Sequence, residues 1–253
     1  MTTEVCLTVD VEDWYDGMAV LGEPIPRPAE ARSGLTGLSS LLESSSANAE
    51  NKVTLTLFVV GNYAATVRSE LGVLAADGHE IASHGPDHGQ LPEDPDALLE
   101  WLRRGRAMLE DLVQRPIRGF RSPRFDVPRT MDLVRYRDLL AQAGFEYVSD
   151  TSRLGLDTPV KELPVLTRHG FPIGGGSYQR LLPGAAVAAT LSSVAGPAVL
   201  YYHSYDFGAT LPPTGSIRSL AVAKQLLGRK RIAGMFSQIL SQYGSKACAH
   251  VEW

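Results

Sequence analysis

The chain has 253 residues, a formal net charge of -4, 44% hydrophobic and 21% charged residues. That is the composition of an ordinary globular protein, so fibrous or disordered structure is excluded, and the charge offers no basic excess for nucleic acid. The one dense cationic run, "GRKR" at Gly228 to Arg231, is too short to form a nucleic-acid track. The length suits one α/β barrel-like domain over residues 1–253 as well as two small ones, and a single domain is the expectation. The two cysteines, Cys6 and Cys248, stand at opposite ends of the chain, so their spacing supports neither a disulfide framework nor a CxxC metal site. "MTTEVCLTVDVEDW" turns acidic at its fourth residue and lacks the regions of a secretory signal, and no apolar run approaches the roughly 20 residues that span a bilayer. A cytoplasmic protein with reduced thiols and no membrane insertion is expected.

Strand-like and helix-like periods alternate along the chain. "VCLTVDV" (Val5 to Val11) and "KVTLTLFVV" (Lys52 to Val60) are short, apolar and rich in β-branched residues, and predict buried strands. A helical stretch follows from a capping Asn62 to Gly78, and "HEIASH" predicts a third strand. Asp94 is placed to cap the clearest helix, with Pro95 at its first position and Leu98, Leu102, Leu109, Leu112 and Val113 at helical spacing. "IRGF" (Ile117 to Phe120) and "FEYVS" (Phe145 to Ser149) predict strands on either side of a helix over Met131 to Ala143. "GPAVLYYHSY" (Gly196 to Tyr205) predicts a late buried strand, and Ser216 to Tyr243 closing helical material. "SSSANAEN" (Ser44 to Asn51) reads as a polar surface loop. In "GGGS" (Gly174 to Ser177) small residues let the backbone approach a neighbour or a ligand. The β-then-α rhythm predicts a parallel sheet, a fold in which chemistry gathers at the C-terminal ends of the strands.

The polar residues of interest fall at those ends. Three of the six histidines lie between His79 and His88. Gly85 and Pro86 argue against a helix through "HGPDH", because a proline turns its predecessor away from α geometry, so His84 and His88 belong to a tight loop that could still converge on one ion. His79 opens the strand, where a structural hydrogen bond is the expectation. In "TVDVEDWYD", strand alternation puts Asp10 and Glu12 on one face, whereas Asp13 needs the chain to turn first. A carboxylate at Asp10, half buried in an apolar strand, is costly unless paired or bound to a cation. Arg121, stiffened by Pro123, could pair with a carboxylate, and His203 emerges at the end of "AVLYY" as a natural general acid.

In order along the chain, "LTVDVEDW", "LTLFVVGNYA", "GHEIASHGPDH", "RGFRSP", "FEYVSDTS", "FPIGGGSYQRLLP" and "AVLYYHSYDF" resemble the motifs of the polysaccharide deacetylases, carbohydrate esterase family 4 with its NodB-homology domain. The resemblance is closest to the bacterial subgroup with a D-x-E-D/E first motif linked to exopolysaccharide synthesis. It implies a distorted (β/α)7-8 barrel that removes an N-acetyl group from an amino sugar with the help of one divalent cation, zinc by preference. It assigns Asp10 as catalytic base, Arg121 as the arginine that orients the base, His203 as general acid, and His84 and His88 as metal ligands. Glu12 is the favoured third ligand, with Asp13 the alternative. Arg124 is implied through its backbone N–H as an oxyanion donor, and Asp150 as an acid of the substrate groove. The chain departs from the family pattern twice. Asp10-Val11-Glu12-Asp13 replaces consecutive aspartates, and Arg124 replaces the aromatic expected after Pro123. The same site in other relatives hydrolyses non-sugar amides such as cyclic ureides, and a metal-free carbohydrate-binding protein on this scaffold is the non-enzymatic alternative. Oligomeric state does not follow from the sequence.

Overall fold

Alternation along "VCLTVDV" decides which way the first strand faces. β1 (Val5–Val11) sends Val5, Leu7, Val9 and Val11 into the large apolar cluster shared with the helices, while Cys6 joins a smaller cluster formed mainly by strand residues. Asp10 and, past the strand, Glu12 follow Cys6 and Thr8 on that second, inward face. The computed structural model describes residues 4–20, 22, 33–46, 53–151, 158–168, 171–194, 196–209, 220, 223 and 226–251.

Six further strands follow: β2 (Thr56–Val59), β3 (Glu80–Ser83), β4 (Gly119–Phe120), β5 (Tyr147–Val148), β6 (Lys161–Glu162) and β7 (Ala198–His203). All pairings are parallel, in the order β6-β5-β4-β3-β2-β1-β7. The two edges meet just beyond β6, where Val165 bridges Val199 of β7 and Leu166 N–H donates to the Val199 carbonyl at 2.9 Å. The result is a distorted (β/α)7 barrel, as expected from the sequence.

The helices are α1 (Trp14–Val20), α2 (Ser33–Ser46), α3 (Gly61–Ala64), α4 (Arg68–Ala76), α5 (Pro95–Val113), α6 (Leu133–Gln142), α7 (Gly176–Gln179), α8 (Gly184–Ser192) and α9 (Ile232–Tyr243). α5 begins as its sequence predicts, with Asp94 Oδ1 accepting from Ala97 N–H at 2.9 Å and Pro95 in the first turn. Its buried face carries Leu98, Trp101, Leu102 and Leu109, each large side chain contributing about 1.5–3 kcal/mol on burial.

Several boundaries differ from the sequence expectation. The stretch after β2 is two short helices, and it starts at Gly61 rather than Asn62. The N–H groups of Gly61 and Asn62 are taken by the Gly85 and Pro86 carbonyls of the histidine loop, so no side-chain cap is needed. Ser44 and Ser46 complete α2 instead of opening a loop, and residues 47–51 lie outside the described set. β2 begins at Thr56, β4 and β5 keep only two ladder residues each, and Lys52 lies outside the described residues. Of the predicted closing helix, Leu220, Ala223 and Leu226 are helical, Arg229–Arg231 is a 3₁₀ turn and Ile232–Tyr243 is α9, while residues 216–219, 221, 222, 224 and 225 lie outside the described set. The glycine run approaches a neighbouring strand. A Cβ on Gly175 would lie 2.6 Å from the Tyr201 ring, so only glycine lets this segment pair with β7.

Candidate active site

Register brings the acidic and basic groups together. Asp10 on β1 lies directly beside His203 on β7, and its other neighbour is Phe58 on β2. His84 follows β3 and Arg121 follows β4, at the same rim of the barrel. Gly85, at φ +82°, turns the chain under the Trp101 ring, where a Cβ would meet the indole at 2.3 Å. The turn returns His88 toward His84, with ring centroids 5.3 Å apart.

Glu12, His84 and His88 form a cluster whose ligand atoms all lie within 4.8 Å of one another. Glu12 Oε2 is 2.6 Å from His88 Nε2 and 3.9 Å from His84 Nε2, and Glu12 Oε1 is 3.9 Å from His203 Nε2. Ser204 fixes the Glu12 backbone, its hydroxyl donating to the Glu12 carbonyl at 2.6 Å and accepting from the Glu12 N–H at 3.2 Å. Asp13 is turned to other work, accepting from Asp16 N–H at 3.2 Å at the start of α1. Of the two acids left open by the sequence, Glu12 is therefore the one beside the imidazoles.

Arg121 is fully buried and spends its guanidinium inside the barrel. Its Nη1 donates to Asp10 Oδ1 at 2.7 Å and to Thr8 Oγ1 at 2.9 Å, Nε to the Ser149 carbonyl at 3.0 Å and Nη2 to the Ser149 hydroxyl at 2.8 Å. The cation also stacks 4.1 Å over the Phe58 ring. His203 stacks on Tyr205 at 4.9 Å, and its Nδ1 is 3.5 Å from Asp206 Oδ2. Thr8, Ser149, Ser204 and Asp206 escaped the sequence reading. Only Asp206 left a legible trace, as an acid three residues after His203.

Electrostatics divide these groups sharply. Burial opposes the Glu12 charge, but His88, His203 and His84 together outweigh it and hold the carboxyl at about 2. Burial pushes the His84 imidazole down to about 4. For His88 burial works the same way, yet the Glu12 contact prevails and its pKa is raised. His203 is also buried, and the nearby Asp206 carboxylate with the charges of Glu12 and Asp10 overrides burial and lifts it to about 9.

Neither of the two remaining expected site residues has its side chain in the Glu12 cluster. Arg124 has φ +59° and Phe125 φ +58°, two successive left-handed residues in the turn Pro123–Phe125, and the Arg124 side chain pairs with Asp126. Such backbone strain costs about 1–3 kcal/mol per residue and clusters at functional loops. Asp150 is 1% exposed and 3.1 Å from the buried Arg137 guanidinium, which also reaches Glu162 at 3.0 Å. It is an ion-pair partner in the barrel wall rather than a member of the Glu12 cluster.

Residues 46–148 match the family described as polysaccharide deacetylase, and residues 139–251 match a domain of unknown function, DUF3473. Residues 46–148 are thus a polysaccharide deacetylase domain. Both matched stretches supply strands to the one barrel. Among solved structures, a candidate polysaccharide deacetylase from Mycobacterium smegmatis is 23% identical, with a TM-score of 0.61 covering 96% of this chain and 87% of that one. The Bc1960 peptidoglycan N-acetylglucosamine deacetylase, solved with a naphthyl N-hydroxybenzamide, is 13% identical with a TM-score of 0.55, covering 99% of this chain and 88% of that one. A family 4 pseudoenzyme from Bacillus anthracis is 10% identical with a TM-score of 0.54, covering 97% of this chain and 63% of that one. No curated protein matches the chain. At these identities the structures speak for the fold alone, and a pseudoenzyme shares it, so chemistry in this chain must be argued from its own residues.

Those residues suit a cation. His84 Nδ1 is 2.9 Å from the Arg121 carbonyl, which can only accept, so the proton sits on Nδ1 and the Nε2 lone pair faces Glu12. The buried Glu12 Oε2 lies 2.6 Å from His88 Nε2 without meeting hydrogen-bond geometry and accepts from no other group among the described residues, an arrangement that a dication between them would satisfy. One carboxylate and two imidazoles with a position left open is the donor set of a catalytic zinc site. No helix of the described residues is long and apolar enough to cross a membrane.

Proposed function

We propose that this single-domain chain is a metal-dependent N-deacetylase that hydrolyses the acetamide of an amino sugar, in a glycan or a glycan precursor, to acetate and a free amine. The observation that carries the reading is the convergence of Glu12, His84 and His88 beside the Asp10–Arg121 pair and His203 on one rim of the barrel. A dication held by Glu12, His84 and His88, zinc by this donor set, would supply Lewis acidity to the amide carbonyl and to a water.

The chain's own groups do the rest. Asp10 accepts the proton of the attacking water, and Arg121 holds that carboxylate in place from below. Negative charge developing on the carbonyl oxygen faces the backbone N–H of Arg124, a donor of a kind typically worth about 3–4 kcal/mol. His203, kept protonated by Asp206 and Glu12, delivers its proton to the departing nitrogen. Asp150, paired with Arg137, is assigned as the acid of the substrate groove. A cytoplasmic site of action, carried over from the sequence, favours nucleotide- or lipid-linked sugars and short oligosaccharides over finished polymer.

The test is acetate release across a panel of N-acetylated nucleotide sugars, chito-oligosaccharides and cyclic ureides, on protein stripped of metal and on protein reloaded with zinc. The reading expects acetate from an amino-sugar substrate, lost on stripping and restored on reloading. Turnover of the ureides alone would move the chain to the small-molecule amidases, and purified protein that binds no metal would leave a carbohydrate-binding protein.

A further inference from the structure

At the opposite end of the barrel the structure joins what the sequence keeps apart. Cys6, near the start of β1, and Cys248, in the 3₁₀ turn Cys248–His250, are both free and buried, and both belong to the apolar cluster inside the barrel. Leu7 N–H and the Val5 carbonyl, on either side of Cys6, both bond the segment that leads into Cys248. The C-terminal segment that carries Cys248 is strapped across the strand starts. Lys246 N–H donates to the Val5 carbonyl at 3.0 Å, Ala247 N–H to Thr54 Oγ1 at 2.9 Å, Cys248 N–H to Thr56 Oγ1 at 2.8 Å and Ala249 N–H to Glu80 Oε2 at 3.1 Å. Ser245 adds three more bonds, its hydroxyl accepting from Leu7 N–H at 3.0 Å and donating to the Thr54 carbonyl at 2.9 Å, and its carbonyl accepting from Thr54 N–H at 3.0 Å.

We propose that Cys6 and Cys248 are a covalent modification site, a pair that closes into a disulfide and locks the C-terminal turn into the floor of the barrel. Seven hydrogen bonds seat the turn on the starts of β1, β2 and β3, so the folded floor keeps both side chains in one cluster, and no other cysteine competes for either. The oxidant is a small-molecule disulfide of the glutathione class. One cysteine attacks its S–S bond and releases one small thiol, then the second cysteine attacks the resulting mixed disulfide and releases the other. Two protein thiols become one disulfide, two electrons reduce the oxidant's sulfurs, and the two protons end on the released thiols. Because Cys248 and burial together push the Cys6 thiol up, and both side chains are closed to solvent, the exchange belongs to the folding chain before the floor shuts. A reducing compartment leaves the pair as dithiol and an oxidising one closes it. The ring so formed includes nearly the whole chain, which is where a cross-link restricts the unfolded state most.

The full chain is refolded from denaturant in buffers set by reduced or oxidised glutathione, then unfolded in a thiol-alkylating reagent and weighed intact. The expected result is a monomer with two alkylated thiols after reducing refolding and none after oxidising refolding, the latter lighter than the reduced, unalkylated chain by two hydrogens. Its unfolding midpoint should rise by about 5–10 °C over the dithiol form, and C6S and C248S should show no such rise. Glutathione adducts, covalent dimers or two alkylatable thiols in natively refolded protein under oxidising conditions would overturn the proposal, as would a closed disulfide whose midpoint is lower than that of the dithiol.

Discussion

The two ends of this barrel each turn a glutamate inward, half-buried Glu80 at the floor and buried Glu12 at the rim, and they treat it in opposite ways. At the floor, Glu80 accepts from Thr56 Oγ1 at 2.8 Å, Tyr147 Oη at 2.9 Å and Ala249 N–H at 3.1 Å, so both of its oxygens are used. At the rim, Glu12 keeps its backbone pinned by Ser204 while Oε2 faces two imidazoles, 2.6 Å from the nearer one and with no aligned donor among the described residues. A fully satisfied inward acid rigidifies the fold, whereas one without an aligned donor among imidazoles is a place prepared for something else. The difference assigns stability to the strand starts and chemistry to the strand ends, which is the division known for parallel α/β barrels.

The largest effect that sharpens this contrast is expected at the cluster itself. His84→Ala removes one of three converging donors, so metal should be absent by elemental analysis and acetate release should fall at least about a thousandfold. The unfolding free energy of the metal-free protein should move by no more than about 2 kcal/mol, the range of an ordinary substitution. Metal retained at wild-type stoichiometry in His84→Ala would return the ligand role to other residues, and the rim would lose its distinction.

Arg121 is where the two roles meet, since it is a rim residue buried as deeply as any in the core. Arg121→Met strands the Asp10 carboxylate and the Ser149 groups in the interior, and breaking such a pair from one side costs about 3–5 kcal/mol. Chemical denaturation should show that loss, together with a fall in kcat of about a hundredfold from a displaced Asp10. Arg121→Lys tests the geometry apart from the charge. A lysine cannot reproduce the four donations made through Nε, Nη1 and Nη2, so it should recover only part of the stability.

The rim was far more legible in the sequence than its supports. Asp10, Glu12, His84, His88 and His203 stand at the ends of apolar runs, where a charged residue is conspicuous, and strand alternation already separates Glu12 from Asp13. Thr8 and Ser149 gave no such signal, because hydroxyl residues are unremarkable in strands and declare themselves only when Arg121 reaches them across the sheet. The same limit hid the floor. Glu80 reads as a strand's polar first residue until Thr56, Tyr147 and Ala249 arrive from distant parts of the chain, and Cys6 and Cys248 are neighbours only through barrel closure. Helix boundaries failed for a related reason, since α3 takes its starting bonds from the carbonyls of the histidine loop rather than from the local cap that the sequence suggests. His79, by contrast, does locally what its place implied, its Nδ1 accepting from Leu55 N–H at 3.1 Å.

A smaller effect should separate the His203 pair from the ligands. Asp206→Asn keeps the shape beside His203 but removes the carboxylate that outweighs its burial, so the imidazole should lose its proton at lower pH. A general acid works below its pKa, so the alkaline limb of kcat against pH should move to lower pH, with kcat at pH 8 reduced about tenfold and zinc content unchanged. An alkaline limb that stays in place would show that His203 is not the acid whose proton limits the reaction.

The smallest effect belongs to the floor and is read in stability alone. Burial raises the Glu80 carboxyl above its ordinary 4.5, despite three hydrogen bonds that favour the charge. With the folded value above the unfolded one, the folded state binds more protons over that interval, so the contribution of Glu80 is fullest below pH 4.5 and declines as pH rises through the folded value. Glu80→Gln cannot titrate, and it keeps an oxygen for the Tyr147 hydroxyl while setting an amide N–H against the Ala249 N–H. It should be less stable than wild type by about 1–2 kcal/mol at low pH, the cost of a mismatched buried donor, and the gap should narrow toward neutrality as wild type gives up its pH-dependent share. Acetate release should not change, because nothing at the strand starts touches the Glu12 cluster. A gap that widened with pH would mean that the three donors prevail over burial and that the floor, like the rim, stores a charge.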